Sequence, residues 1–404
     1  MKKVIFILAD AFKSEYINIC NLEFLKEEIN KTNTLYIEKI YPSTGFCEII
    51  EYVTGKPAEE NGYLAQIAFK EEWEKKEVNI NYWLLILEKI EKIMSKIPKI
   101  RWIYFNFVNK ILKKYISEEM IRVRYKIPIT LLEYFKPTES VYSYDSIGFG
   151  GESNIFYKLK EKGVSYDIDD FVKYNKIKGT DNGRLENLIT KIKNKDLKDF
   201  TLLYIGYGEI AHYNSVKNNF FNQELKNFDI KLREVVNLLK KNYEEYELMI
   251  LGDHGMVNIE NYFNIYPIIE EFRNKFNLNL KKDYMYFIDS TMFRLSLKNK
   301  LIISEVKTFF KDKLKGYYEE NLEDYFNKFD SKYGDIKILL KPGNVFYPDY
   351  FNYKKNKGMH GYNSKTQGQE GTFVSISSQK LNQEKFKEKY LYQINEYIIK
   401  ELIK

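Results

Sequence analysis

Three short runs of apolar, β-type residues each end on a side chain of the kind that binds metals, and this pattern restricts the fold more than any other feature. Val4-Ile-Phe-Ile-Leu8 runs out at Asp10, Thr201-Leu-Leu-Tyr-Ile205 leads to Glu209 and His212, and Leu248-Met-Ile-Leu251 leads into Asp253-His254. Short apolar runs bounded by glycine and polar residues read as strands buried on both faces, as in a parallel sheet covered by helices. In open α/β sheets ligands bind in the crevice outside the carboxyl ends of the strands, so the three run ends are expected to share one site. Between the second and third runs, around Asn222 to Lys241, the pattern is helical and of the right length for a βαβ crossover.

Histidine is scarce: His212, His254 and His360 are the only three, and the last sits in Gly358-Met-His-Gly361. Imidazole and carboxylate together are the ligand set of zinc and its neighbours. Asp10, Glu209, His212, Asp253, His254 and His360 form a set of the size that two divalent ions need, at about three protein ligands each. Pro42-Ser43-Thr44-Gly45 follows a short strand, Tyr36 to Ile40, and precedes a helix from about Glu48 to Val53. Ser43 and Thr44 are therefore candidate nucleophiles at a helix start, where free N–H groups favour an anion, and either also suits the N-cap. Phe46, Phe149, Tyr207 and Tyr213 are candidates for an apolar slot, with core packing the plainer role in a chain carrying 35 Tyr and 28 Phe.

At 404 residues the chain exceeds one ordinary core, so a single α/β core spanning 1–404 is expected to carry insertions. Residues 66–140 have few glycines and long amphipathic stretches, Trp83 to Ile90 and Trp102 to Val108, studded with Lys89, Lys92, Lys96, Lys99, Arg101, Lys113 and Lys114. The simpler expectation is a helical cap whose apolar stripe packs on the core. The alternative is a basic helix pair, 83–114, that lies on a membrane surface or grips a lipid-linked substrate. Residues 260–355 break into short segments and read as a second, α+β insertion, within which Arg294 is either a phosphate clamp or a structural salt bridge.

The net charge of +7 arises from 64 basic against 57 acidic residues, interleaved as on solvated helix faces, so no nucleic-acid partner is expected. Cys20 and Cys47 form no CxxC pair, which favours a reducing, cytoplasmic compartment. Val4 to Leu8 is too short for a signal peptide, and no window approaches the roughly 18 apolar residues of a membrane span.

Asp10, the turn before Val53-Thr54-Gly55, Pro57 to Gly62, Asp253-His254-Gly255-Met256 and His360-Gly361-Tyr362 occur in an order that resembles the alkaline phosphatase superfamily, in particular its nucleotide pyrophosphatase/phosphodiesterase-like branch. The resemblance covers about 1–65, 145–258 and 355–404. It implies a mostly parallel sheet sandwiched by helices. It also implies two divalent ions, zinc or manganese, one held by Asp10, Asp253 and His254 and the other by His212, His360 and an acid near His212. The activity implied is hydrolysis of phosphodiester or pyrophosphate bonds in a small-molecule or lipid-linked phosphate ester, through a covalent phospho-Ser/Thr intermediate. Transfer to an acceptor alcohol and a catalytically silent metal-binding relative are the alternatives.

Three departures stand out. The acid nearest His212 is Glu209, three residues before it, whereas the family's Asp commonly lies four before, where this chain has Gly208. Counting back from Thr54-Gly55 places the family's nucleophile at Gly45, which leaves Thr44, then Ser43, as the candidates. Cys47 and Glu48 occupy the neighbourhood of a phosphate-binding asparagine, and Glu48 would repel a highly charged terminal phosphate. The sulfatase signature, Cys or Ser followed by x-Pro-x-Arg, is absent, which argues against sulfate esters.

Overall fold

The computed structural model describes residues 2–75, 82–94, 97–139, 141–146, 148–176, 180–213, 218–381 and 389–403. The chain divides into two compact units, the first from Met1–Tyr63, Tyr142–Ile259 and Asn356–Lys404, the second from Leu64–Val141 and Glu260–Lys355.

In the first unit, β1 (Lys3–Ala9), β2 (Thr34–Ile40), β3 (Tyr166–Asp169), β4 (Phe200–Ile205), β5 (Tyr246–Gly252) and β6 (Gly371–Ser377) form one sheet in the order β2-β6-β5-β1-β4-β3. β1 lies between β4 and β5, parallel to both, and β3 is parallel to β4. β6 alone runs against the others, between β2 and β5. The three apolar runs of the sequence are thus the adjacent central strands. Their alternation divides the core between two faces: Ile5, Ile7, Leu203 and Ile250 on one, Val4, Phe6, Leu202 and Met249 on the other.

The flanking helices relevant here are α1 (Ile49–Thr54), α2 (Asp181–Lys193), α3 (Glu209–Tyr213), α4 (Asn219–Asn242) and α5 (Gln393–Leu402). α4 is the crossover from β4 to β5. The Asn218 side chain caps it by accepting from the Phe220 N–H, and Phe221, Leu225, Phe228, Leu232, Val235 and Leu239 line its buried face. Each such side chain contributes roughly 1.5–3 kcal/mol on burial, which holds α4 and α2 against the first face of the sheet. α1 and α5 cover the other through Ile50, Val53, Ile394 and Ile398. This is the expected α/β arrangement. The terminal helix α5 begins at Gln393, and residues 382–388 lie outside the described set.

The second unit combines the two stretches that the sequence presents as separate insertions. Ile67–Phe69 pairs with Phe135–Pro137, and Tyr284–Ile288, Met292–Leu297 and Ile336–Leu339 form an antiparallel sheet. The stretches are joined by the Trp73 indole N–H, which donates to Ser296 Oγ at 3.1 Å, and by Arg294, whose Nη1 donates to the Ile67 carbonyl at 2.7 Å.

Register brings the functional ends to one edge. Ala9 lies beside Ile205, Leu8 beside Leu251, Thr372 beside Gly252 and Gly371 beside Ile40. The exit from β4 then passes so close to β1 that a Cβ on Gly208 would stand 1.8 Å from the Asp10 carbonyl oxygen. Gly208→Ala is therefore expected to cost about 2 kcal/mol or more. Gly148→Ala, whose Cβ would find nothing nearer than Ser146 Oγ at 3.7 Å, should be tolerated. Chemical denaturation of the two variants checks this, and equal stability would refute it.

Candidate metal centre

β1 delivers Asp10 and β5 delivers Asp253 and His254 to adjacent positions. The Asp253 carboxylate accepts from the backbone N–H groups of Ala11 (3.2 Å) and His254 (3.0 Å), and the Tyr204 hydroxyl donates to Asp10 Oδ2. His254 Nδ1 stands 2.9 Å from the Gly255 carbonyl, which only accepts, so Nδ1 carries the proton and Nε2 keeps the lone pair. That Nε2 lies 3.6 Å from Asp10 Oδ1 and 3.8 Å from Asp253 Oδ1. These three residues bring one donor atom each within 4.8 Å of the others.

His212 stands on α3, where Nδ1 donates to the Gly358 carbonyl at 3.0 Å, again leaving Nε2 as the free donor. The same segment is held by Lys357 N–H to the His212 carbonyl at 2.7 Å and by pairing of Gly358–Met359 with Val257–Asn258. This clamp carries His360 into the site. Its ring stacks on His254 at 3.8 Å between centroids with planes 9° apart, and lies 5.3 Å from the His212 ring. Glu48 reaches the same place from the turn after β2, with Oε1 3.8 Å from His360 Nδ1, and Glu48, His254 and His360 form a second compact donor group.

Burial dominates the electrostatics. It raises the carboxyls of Asp10, Asp253 and Glu48, with the neighbouring Asp253 adding to the rise at Asp10. His212 and His360 are lowered to about 3, first by burial and next by a neighbouring imidazole, so both are neutral donors at pH 7. Burial also opposes protonation of His254, but Asp253, Glu48 and Asp10 together outweigh it and hold this ring up to about 9. The donor set fits divalent metal. Glu48 Oε1 is a buried atom with no hydrogen-bond partner among the described residues, and a carboxylate–imidazole cluster of this kind is a zinc or manganese ligand set.

The other predicted residues distribute unevenly. The Glu209 side chain lies outside the described residues, although its backbone begins α3. Ser43 Oγ donates to Glu51 at 2.8 Å and accepts from the Ala58 N–H at 2.7 Å, while the backbone N–H groups of Ser43 and Thr44 also donate to Glu51. Neither hydroxyl caps α1, which starts at Ile49 with Glu48 at its N-cap. Thr44 is buried in the turn and Phe46 half-buried beside it. At Gly45 a Cβ would lie 2.6 Å from the Tyr362 carbonyl oxygen and 2.9 Å from the Gly361 Cα, so the backbone approach itself leaves no space for a side chain there.

Arg294 is a correction. It is 0% exposed in the second unit, bonded to Asp289 at 2.9 Å and the Ile67 carbonyl, with its guanidinium 4.7 Å from the Phe287 ring centroid. A group so enclosed is a structural ion pair rather than a phosphate clamp. Phe149 and Tyr207 are likewise core residues, whereas Tyr213 is exposed. Glu48 and Glu51 are what the sequence reading missed. Two acids in the turn beside the candidate hydroxyls were the available signal, but nothing in the sequence said that both point inward.

Residues 4–363 match the type I phosphodiesterase / nucleotide pyrophosphatase family, and the chain belongs to it. Curated protein sequences contain no match to it. Among solved structures it is similar to murine ectonucleotide pyrophosphatase / phosphodiesterase 5, with 14% identity and a TM-score of 0.64 over 100% of this chain and 95% of that one. An inactive variant of that mouse protein in complex with AMP gives the same values, and the human protein gives 13% identity at a TM-score of 0.64 with the same coverage. These likenesses establish an alkaline-phosphatase-like fold.

Asp181, at the start of α2, accepts from the Gly206 N–H at 3.0 Å and is pushed up to about 6, chiefly by burial. A carboxyl with a raised folded pKa binds protons more readily folded than unfolded, so its ionisation costs stability above pH 6 and the cost disappears below the unfolded value of about 4. Asp181→Asn keeps the acceptor, and should raise the melting temperature at pH 8 by a margin that closes as the pH falls towards 4. A margin independent of pH would refute the assignment.

Proposed function

We propose that this chain hydrolyses phosphodiester or pyrophosphate bonds in a small or lipid-linked substrate, using two divalent ions, zinc or manganese. The reading is carried by the meeting of Asp10–Asp253–His254 with Glu48–His254–His360 at the sheet edge, where the neutral imidazoles of His212 and His360 stand near a buried carboxylate oxygen that has no hydrogen-bond partner among the described residues. Divalent ions bound there would neutralise the negative charge that builds on the phosphoryl oxygens. The residues of the chain do the rest. Glu51 acts as a positioning residue, gathering the N–H groups of Ser43 and Thr44 and so setting the shape of the turn. Because the Ser43 hydroxyl is committed at both its donor and acceptor sides, Thr44 is the better nucleophile. Its oxygen would bond to phosphorus as the bond to the leaving alcohol or phosphate breaks, and water would then cleave the phosphothreonine.

Chelation should abolish turnover of bis(p-nitrophenyl) phosphate, with zinc or manganese restoring it and two ions counted per active chain by elemental analysis. Thr44→Ala should lose activity on the order of 10³-fold or more and trap no phosphoprotein, with Ser43→Ala losing far less. Fewer than two ions per active chain would refute the two-metal reading, and full activity in Thr44→Ala would refute the covalent step.

The cysteines support a reducing, cytoplasmic setting: Cys20 and Cys47 are both buried and form no disulfide. Among the described residues no helix is long and apolar enough to cross a membrane. Contact with a membrane surface is favoured by a separate observation. On the helix Tyr82–Met94, Leu84 is buried, while Tyr82 (72% exposed), Trp83 (73%), Ile86, Ile90 and Ile93 (66%) share an outward apolar arc flanked by exposed Lys89 and Lys92. An outward apolar arc with lysines at its edge has the chemistry that suits an anionic lipid surface. The protein should co-sediment with phosphatidylserine-containing vesicles and not with phosphatidylcholine alone, and Trp83→Ser with Ile93→Ser should release it. Equal retention by both vesicle types, or a dimer that the double substitution disperses, would refute the lipid assignment.

A further inference from the structure

We infer that Glu48 supplies the carboxylate of the second metal set, completing it with His212 and His360. This rests on the two-metal reading and assigns a ligand that the motif order does not.

The argument begins with lone pairs. His254 belongs to both compact donor groups, yet its Nδ1 is committed to the Gly255 carbonyl, so it has one donor to give. That donor, Nε2, lies against Asp10 and Asp253 at 3.6 and 3.8 Å. Glu48 and His360 are then left as a pair that needs another partner. The neighbouring His212 ring, 5.3 Å from that of His360, offers a free Nε2 because its Nδ1 faces the Gly358 carbonyl. Two imidazoles and one carboxylate are a complete protein set for a zinc-type ion with an open position.

The second part concerns where a carboxylate can stand. Position 208, four residues before His212, admits no side chain, since its Cβ would overlap the Asp10 carbonyl. An acid for His212 and His360 must therefore come from elsewhere. Glu48 is 6% exposed, and its Oε1, 3.8 Å from His360 Nδ1, has no hydrogen-bond partner among the described residues. A buried carboxylate oxygen with no donor is costly unless a cation satisfies it. Gly45 and its tight approach to Gly361 and Tyr362 hold the turn in the position from which Glu48 reaches inward.

Isothermal titration calorimetry and native mass spectrometry with zinc alone distinguish Glu48 from its rival, Glu209. The wild-type chain should bind two ions, Glu48→Gln one, and Glu209→Gln two. Glu48→Asp should keep the second ion with affinity reduced about tenfold or more. Metal-free Glu48→Gln should melt no lower than metal-free wild type, because the partnerless charge is gone, while its zinc-induced rise in melting temperature should shrink. A purely structural Glu48 would give the reverse pattern of melting. Two ions retained by Glu48→Gln, or one lost by Glu209→Gln, would overturn the assignment. Fewer than two ions on the wild-type chain would instead overturn the two-metal reading beneath it.

Discussion

Burial of like charge at the edge of the central sheet is the constraint to which the rest of the site responds. Asp10, Asp253 and Glu48 gather around His254 with little solvent, and removing a carboxylate from water costs several kcal/mol even after relaxation. The protein answers in part with the Tyr204 hydroxyl on Asp10, two backbone N–H groups on Asp253, and the His254 ring set among the three acids. Those donors leave Glu48 Oε1 without a hydrogen-bond partner among the described residues. The remaining negative potential would favour cations in the crevice, and two neutral imidazoles beside it offer lone pairs that no proton occupies near pH 7.

The sheet makes this concentration of charge mechanically tolerable. The three central strands are buried on both faces, so their ends are fixed by packing on α2 and α4 on one side and α1 and α5 on the other. Because β6 runs antiparallel beside β5, the segment that precedes it, carrying His360, arrives at the same edge where the parallel strands leave. The short pairing of Gly358–Met359 with Val257–Asn258 then sets the stacking of His360 on His254. Candidate donors from five separated stretches of chain meet through this one register.

Much of that was legible in the chain. Val4 to Leu8, Thr201 to Ile205 and Leu248 to Leu251 are strands in fact, because residues apolar on both faces have few other stable places, and Asp10, Asp253 and His254 follow two of them directly into one compact group. What the pattern obscured is instructive. Glu209 is the acid nearest His212 in sequence and its side chain lies outside the described residues, whereas Glu48, far away in sequence, is a carboxylate that the fold brings to His360. Arg294 looked available in a polar stretch, but the sheet around it encloses it against Asp289 and Phe287. The helix Tyr82–Met94 has an amphipathic pattern that marks one face as apolar without marking what covers it, and that face is turned outward.

Local pattern by itself determined the class of fold, the strands and the chemical types at their ends, since these depend on periodicity and on neighbours a few residues apart. Only the tertiary structure decided which donors face one another, that positions 45 and 208 admit no side chain, and that Glu48 stands beside His360. The reason is physical: coordination and close packing depend on through-space distances of a few ångströms between segments that are remote along the chain. Those distances are set by strand register and backbone approach, which no local run of residues encodes.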